Sequence, residues 1–279
     1  MTPLQEAYFL EHGPHSLRIV DVGARWGATS AWFRLPGLAK LYGFEPDAEE
    51  CARLTAILDP NTDVFFPIAL GSHDGETTLH VTAEPACSSI YPPSEWMRSR
   101  FPSLTEAMRP VRTIAVPTQR LDTWAKHHSI DRIDFIKLDT QGAELDILHG
   151  AEGTLAHVLG LEAEVIFNPL YDGQPVFSDV DAFLRKQGFQ LWRLDSLAHY
   201  AEQPSMETRG VVFQQYDHLR VESLAGRGRL VWGNAMYFRD REAFEGNRVA
   251  LHRLAILLEA FGDDDGVQAC VTAMTRCPA

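Results

Sequence analysis

The sequence predicts an α/β fold built on a doubly wound, mostly parallel sheet. Short apolar runs of strand length alternate along the chain with longer segments of helical pattern, as in a parallel sheet covered on both faces. One such run, 18–22, is followed by Gly23 and then by a helical segment, which is the pattern of a strand turning tightly into a helix. The acids Asp21, Glu45 and Asp139 fall at predicted carboxyl ends of strands, where open α/β sheets bind their ligands.

Each element is predicted from its local pattern. Strands are expected where apolar or alternating residues lie between turn residues, and helices where apolar residues recur at helical spacing behind a cap. The proline-containing segment 84–110 is predicted to be the longest irregular stretch, and 195–228 gives no readable pattern. The predicted strands are 18–22, 40–45, 63–68, 77–82, 112–116, 134–138, 161–167, 189–194 and 230–239. The predicted helices are 2–12, 28–35, 47–58, 121–128, 142–157, 178–187, 248–261 and 267–275.

Composition excludes several classes of protein. The 279 residues are 45% hydrophobic and 23% charged, which is ordinary for a globular chain that needs neither disulfides nor metals to form its core. A net charge of −13 opposes binding to nucleic acid and to anionic membranes. The four cysteines form no C-x-x-C pair, the histidines show no metal spacing, and neither a signal peptide nor a membrane span is recognisable. We therefore expect a cytoplasmic protein without a metal centre.

The glycine pattern after the first strand narrows the expected ligand. Glu45 follows Gly23 by about 20 residues, the spacing at which a nucleotide fold places an acid on the ribose hydroxyls. The middle glycine of a dinucleotide fingerprint is missing between Gly23 and Gly27, and no phosphate-binding P-loop motif occurs. Asp21 would repel phosphate but suits a cationic or amino-bearing ligand. S-adenosylmethionine has a sulfonium, an amino group and a ribose diol, and is the predicted cofactor; incidental glycines in a strand-turn-helix are the alternative.

The run 133–151, IDFIKLDTQGAELDILHGA, resembles the signature of the FkbM-type methyltransferases, in which a strand ends in K-x-D-x-x-G-x-E and the next helix runs to L-x-G-A. The resemblance covers roughly residues 17–195. One departure is Gln141, where many relatives carry a glutamate. Further similarities lie at 20–24, 44–47, 88–89, 121–122 and 169–175.

The resemblance implies a class I, Rossmann-like methyltransferase fold, a mostly parallel sheet of seven strands whose last strand is antiparallel. It also implies O-methylation of a hydroxyl on a sugar, glycan or natural-product acceptor such as a polyketide. N-methylation of an amine-bearing metabolite and a non-catalytic nucleoside-binding regulatory module remain alternatives. We expect a methyltransferase domain at 1–242 and a C-terminal helical appendage at 243–279, which either packs on its own sheet or forms a homodimer surface.

Candidate site residues follow from these patterns. Glu45 is expected to accept hydrogen bonds from the ribose diol. Asp139 is expected either to accept the proton of the acceptor hydroxyl or to orient the sulfonium end of the cofactor, and Glu164, a charge within a core strand, is a second catalytic candidate. The predicted cofactor-binding residues are Asp21, Gly23, Ala24, Arg25, Gly27, Glu45, Pro46 and Asp139. The predicted acceptor-binding residues are Ser88, Ser89, Tyr91 and Trp96, in a segment expected to line or cover the acceptor pocket, and Tyr171.

Overall fold

The computed structural model describes residues 1–25, 32–57, 62–202, 211–215, 220–224 and 228–277. The strands within them are β1 (Leu17–Val22), β2 (Ala39–Phe44), β3 (Asp63–Phe66), β4 (Ala69–Leu70), β5 (Gly75–Thr82), β6 (Pro110–Gln119), β7 (Phe135–Leu138), β8 (Gly160–Ile166), β9 (Phe189–Tyr200), β10 (Val211–Gln215), β11 (Arg220–Leu224) and β12 (Arg229–Arg239). The α-helices are α1 (Pro3–His12), α2 (Ala48–Ile57), α3 (Glu95–Arg100), α4 (Pro102–Ala107), α5 (Leu121–His127), α6 (Glu144–His149), α7 (Glu152–Leu155), α8 (Phe177–Lys186), α9 (Arg248–Ala260) and α10 (Asp264–Met274).

The central sheet has seven strands in the described part of the chain, in the order β3-β2-β1-β7-β8-β12-β9. β1, β2, β3, β7 and β8 pair in parallel, whereas β12 runs antiparallel to both of its neighbours. The predicted doubly wound sheet with an antiparallel last strand is therefore confirmed. Val22 pairs with Phe44 on one side and with Leu138 on the other, so β1, β2 and β7 end at the same edge of the sheet.

Helices cover both faces of this sheet. On one face, α5, α6, α7 and α8 pack against alternate strand residues such as Val20 and Leu138, and on the other face α1, α2, α9 and α10 pack against residues such as Ile19 and Phe135. This alternation follows from the pleat, which points successive side chains to opposite faces. None of the described helices combines the length and apolarity needed to cross a membrane.

Residues 243–279 begin with a short 3-10 turn and then form α9 and α10, as their helical pattern indicates. Nearly every residue of α9 is buried, and Leu254, Leu257 and Leu258 share one apolar cluster with the strands. Arg253 of α9 also donates to the buried carboxylate of Asp134, which precedes β7, at 2.7 Å. α9 is thus part of the cover of the sheet. The separate appendage and its use as a homodimer surface remain predictions.

The prediction that 84–110 is irregular is wrong. The segment contains the 3-10 turn Pro85–Cys87 and the helices α3 and α4. Its prolines obscure the helical pattern, but Pro102 occupies the first turn of α4, where a missing N–H costs nothing. Met97 and Phe101 anchor the two helices in an apolar cluster beside β9 and β12. The helices are inserted between β5 and β6, which form a small three-stranded sheet with β4.

Two other predicted elements differ from the observed ones. The predicted helix 142–157 is two helices, α6 and α7, because Asp122 accepts hydrogen bonds from the backbone amides of Gly153 and Thr154 and starts a new helix there. Of the predicted helix 28–35, residues 28–31 lie outside the described residues and Trp32–Arg34 form a single 3-10 turn.

Candidate functional site

A cavity of about 740 Å³ opens at the carboxyl ends of β1, β2, β7 and β8. Its far side is formed by the first half of β12, which reaches this edge because the strand runs in the opposite direction. The cavity therefore lies where the strand order predicted a ligand. Among the predicted site residues, those lining it are Gly23, Arg25, Glu45, Pro46, Ser88, Ser89, Asp139 and Glu164.

Backbone hydrogen bonds bring the strand ends close together under the cavity. The amide of Gly23 donates to the carbonyl of Phe44 at 3.0 Å, and the amide of Asp139 donates to that of Val22 at 3.0 Å. Gly23 has a φ of +75°, and a Cβ at this position would overlap the carbonyl oxygen of Asp139. Glycine is needed here because the two loops touch through their backbones.

Glu45 ends β2 and presents a nearly buried carboxyl group, 5% exposed, to the cavity. One oxygen, Oε1, accepts a hydrogen bond from the amide of Asp47 at 2.9 Å. Burial raises the pKa of Glu45 to about 7, against the lowering effects of that amide and of Arg25, whose guanidinium lies 3.5 Å from the Asp47 carboxylate. A desolvated carboxyl of this kind would gain from ligand hydroxyl donors.

Asp21 lies beneath the cavity floor rather than in its lining. It is fully buried, and its Oδ1 lies 3.5 Å from Nζ of Lys137, which also lies 3.4 Å from Oδ2 of Asp139. Burial lowers the pKa of the Lys137 ammonium, but the two carboxylates more than reverse this, so its pKa is raised and the group stays charged. Burial raises the pKa of Asp21, and Lys137 opposes that rise. The lysine thus couples Asp21 to Asp139.

Gln141 joins the two predicted catalytic acids. Its Nε2 donates to Glu164 at 2.7 Å and lies 3.3 Å from Oδ1 of Asp139, while its Oε1 lies 3.0 Å from the hydroxyl of Tyr171. Burial, together with the negative charge of Asp139, raises the pKa of Glu164 well above its usual range. A neutral amide can donate to both carboxyl groups, whereas a glutamate here would add a third acid. The sequence suggested only a lost carboxylate at this position.

Glu144 fixes the loop that carries Asp139 and Gln141. Its Oε1 accepts hydrogen bonds from the amide of Thr140 at 2.8 Å, from the Thr140 hydroxyl at 2.9 Å and from the amide of Gly142 at 3.3 Å. Burial raises the pKa of Glu144 to about 7. Its role in the described structure is to hold the loop. The described residues contain no group of three or more His, Cys, Asp or Glu placed to bind a metal ion.

The predicted acceptor residues separate into two groups. Ser88 and Ser89 line the cavity, and the hydroxyl of Ser89 donates to the carbonyl of Gln141 at 2.7 Å. Tyr171 is fully buried and does not line the cavity, and its hydroxyl lies 3.0 Å from Oε1 of Gln141. Tyr91 lies outside the lining, with its hydroxyl donating to Asp146 at 2.7 Å.

Three further predicted residues lie away from the cavity or cannot be placed. Trp96 is on α3, 47% exposed and outside the lining, with the guanidinium of Arg100 4.6 Å from its ring centre. Ala24 is buried next to Gly23 and does not line the cavity. Gly27 lies outside the described residues.

Two walls of the cavity were not predicted from the sequence. One is the inner face of the β5–β6 ribbon, where Leu79 pairs with Ile114 and Val81 with Arg112. The alternating pattern of β5 was a usable signal, since residues two apart share a face. The other wall consists of Ser196, Trp232 and Asn234, from β9 and β12. No local motif marks it, because only the strand order brings β12 beside β8.

The seven-stranded order with β12 antiparallel, and the cavity at the carboxyl ends, agree with the class I methyltransferase fold that the resemblance implied. The sequence also matches the Methyltransferase FkbM domain over residues 21–191, and the chain belongs to this family. It is similar to the 2-O-methyltransferase NoeI of Sinorhizobium fredii (strain NBRC 101917 / NGR234), at 30% identity over 160 residues. That match covers 56% of this chain and 66% of the relative, so the chain spans just under two thirds of the relative's length.

Solved structures of methyltransferases are also similar to the chain. The methyltransferase FkbM of Methylobacillus flagellatus KT has a TM-score of 0.42 and 15% identity, covering 80% of this chain and 44% of that chain. Magnesium protoporphyrin IX methyltransferase of Synechocystis PCC 6803, with bound S-adenosylmethionine, has a TM-score of 0.37 and 10% identity, covering 85% of this chain and 76% of that one.

Proposed function

We propose that this protein is an S-adenosylmethionine-dependent O-methyltransferase acting on a hydroxyl of a sugar, glycan or natural-product acceptor. The observation that carries the proposal is one cavity that joins the carboxyl group of Glu45, at the end of β2, to that of Asp139, at the end of β7. Membership of the FkbM family supports methyl transfer. The name of the relative, a 2-O-methyltransferase, supports oxygen as the acceptor atom.

The residues of the cavity fit S-adenosylmethionine better than a dinucleotide. Glu45 would hold the ribose diol, because a nearly buried carboxyl with a raised pKa gains from hydroxyl donors. The adjacent apolar lining, which includes Pro67 and Ile68, would pack against an adenine ring. The carboxylate of Asp139 would favour the cationic end of the cofactor and disfavour a pyrophosphate. When bound, the cofactor supplies an electrophilic methyl group on a positively charged sulfur.

Asp139 is the better placed of the two acids to take a proton. Its side chain is 29% exposed and lines the cavity, and Lys137 lies 3.4 Å from it. Glu164 is buried, and this burial raises its pKa well above the usual range and so disfavours its ionised form. We assign to Asp139 the acceptance of the hydroxyl proton, and to Glu164 the orientation of that hydroxyl. The methyl group would pass from the sulfonium to the acceptor oxygen, and S-adenosylhomocysteine would leave as the sulfur–methyl bond breaks. Binding and alignment supply most of the rate.

Calorimetric titration followed by a turnover screen tests the proposal. The protein should bind S-adenosylmethionine with micromolar affinity and should not bind NAD. It should then methylate alcohols, and not amines of similar size. Binding of NAD in place of S-adenosylmethionine would refute the cofactor. Turnover confined to amines would make the protein an N-methyltransferase, and cofactor binding without turnover of any acceptor would favour a regulatory module.

A further inference from the structure

We propose that Trp232, Asn234 and Ser196 form the acceptor subsite, and that it binds a single pyranose ring through one face and its hydroxyl rim. This inference rests on the proposed function and narrows its acceptor to a carbohydrate. The three residues line the same cavity as Glu45 and Asp139, although they come from β9 and β12. The strand order brings these three residues to the same edge of the sheet as Glu45 and Asp139.

The order of strands along the cavity edge fixes which part of the cavity each ligand occupies. Glu45 ends β2, Asp139 ends β7, and Asn234 lies on β12, two strands beyond β7. Neighbouring strands lie about 4.8 Å apart, so Asn234 is about 10 Å from the strand of Asp139. With the nucleoside at β2 and methyl transfer at β7, the space beyond β8 is left for the acceptor.

Trp232 provides a fixed, half-buried aromatic surface. The residue packs against the apolar cluster behind the cavity and also lines the cavity. Its indole Nε1 donates to the hydroxyl of Tyr200 at 3.3 Å, which restrains the ring plane. A pyranose presents axial C–H groups on one face, and these pack well against a flat indole that need not be reordered on binding.

The edge of this surface is polar. Asn234 pairs with Glu164 across β12 and β8, and its Nδ2 donates to Glu162 at 3.0 Å, so its orientation is set before any ligand binds. Glu164 is in turn held by Gln141 at 2.7 Å. A carboxyl and an amide fixed by other protein groups are suited to hydroxyl donors and acceptors on the rim of a sugar.

A β-bulge places Ser196 at this wall. Between the pairs Trp232–Ala198 and Asn234–Asp195, Ser196 and Leu197 together face Gly233. Ser196 has a φ of +53°, a conformation rare for residues other than glycine, and a Cβ on Gly233 would lie 2.7 Å from Leu197 Cδ2. Bulges beside functional sites turn side chains toward a ligand. The bulge therefore adds a hydroxyl to the polar rim.

Another wall of the cavity is mainly apolar, which distinguishes it from the polar acceptor subsite at Trp232. The β5–β6 wall is formed mainly by apolar side chains such as Leu79 and Ile114. An apolar or aromatic alcohol placed at the Trp232 wall would leave Asn234 and Glu164 without hydrogen-bonding ligands and lose the benefit of their fixed orientation. A pyranose can pack its apolar face on the indole of Trp232 and place its hydroxyl groups within hydrogen-bonding reach of Asn234 and Glu164.

The test is a titration of the protein, with and without S-adenosylhomocysteine, against methyl pyranosides. Cyclohexanol and phenol serve as ring-sized alcohols that lack the hydroxyl rim. Trp232→Ala removes the aromatic surface, Trp232→Phe retains part of it, and Trp96→Ala is the matched control because Trp96 lies outside the cavity. The affinity of each variant for S-adenosylmethionine is measured in parallel.

We expect at least one pyranoside to bind, and Trp232→Ala to weaken its affinity about tenfold or more. Trp232→Phe should recover part of the loss, and Trp96→Ala should match the wild type, with cofactor affinity unchanged in all three. The inference is overturned if no pyranoside binds at high millimolar concentration. It is also overturned if cyclohexanol or phenol binds more tightly than every pyranoside. Unaltered pyranoside affinity in Trp232→Ala would overturn it as well. Failure of the wild type to bind S-adenosylmethionine would instead refute the proposed function, whatever the pyranoside result.

Discussion

The affinity for S-adenosylmethionine should depend on pH through Glu45. Burial raises the pKa of this carboxyl to about 7 in the free protein. If the ionised group accepts hydrogen bonds from the ribose diol, binding lowers its pKa toward its ordinary value of 4.5. Binding then releases a proton below pH 7. Affinity should be constant above about pH 8 and fall about tenfold for each pH unit below 7, where the protonated form must first ionise.

The size of the effect follows from the two pKa values. One pKa unit corresponds to about 1.4 kcal/mol, so the full effect is on the order of 3 kcal/mol. This agrees with about 1.5–3 kcal/mol for a hydrogen bond to a charged group. Glu45→Gln should weaken binding about tenfold to a hundredfold at pH 8 and abolish the pH dependence. Below pH 6 the variant and the wild type should converge.

Isothermal titration calorimetry between pH 5 and pH 8.5, in buffers of different ionisation enthalpy, measures both affinity and proton release. Glu49→Gln is the control, since Glu49 lies on the exposed side of α2 near the same strand end. An affinity independent of pH in the wild type would refute the ribose role of Glu45. A pH dependence that persists in Glu45→Gln would assign the titrating group to another residue.

Three other substitutions test the site. Asp139→Asn should lower turnover by about two to four orders of magnitude while changing cofactor affinity far less, and a proportional loss of affinity would make Asp139 a cofactor ligand. Gln141→Met removes the amide between the two acids and should lower kcat with an unchanged cofactor Kd; an unaltered kcat would show that the bridge is dispensable. Gly23→Ala should lower the free energy of unfolding by more than about 3 kcal/mol, whereas Gly13→Ala, at a similar φ but with open space around it, should cost about 1–3 kcal/mol; the melting temperatures of the two variants report the difference. Equal melting temperatures would contradict the close backbone contact at Gly23.

The sequence predicted those parts of the site that follow their own strands. An apolar run ending in a carboxylate locates Asp139 because the run must be buried and its end must reach the sheet edge. The same reasoning placed Glu45. Both residues line the cavity, because parallel strands place all their carboxyl ends at one edge of the sheet.

Other parts of the site depend on contacts between distant segments and have no local signal. Trp232 and Asn234 reach the cavity because β12 inserts between β8 and β9, against the order of the chain. Gln141 looks like a loss of charge in the sequence, and only the positions of Glu164 and Tyr171 show it as a bridge. Trp96 has a suitable side chain in a suitable segment, but α3 turns it away from the cavity.

The central claim is transfer of a methyl group from S-adenosylmethionine to an oxygen atom in this cavity. The most direct test is to incubate the protein with S-adenosylmethionine carrying a carbon-13 methyl group and a mixture of methyl pyranosides, and to follow the label by NMR. The account predicts a new methyl ether signal on a sugar carbon, which Asp139→Asn reduces by at least about a hundredfold. A label found on nitrogen, or a label that stays on the cofactor although the protein binds it, would contradict the account.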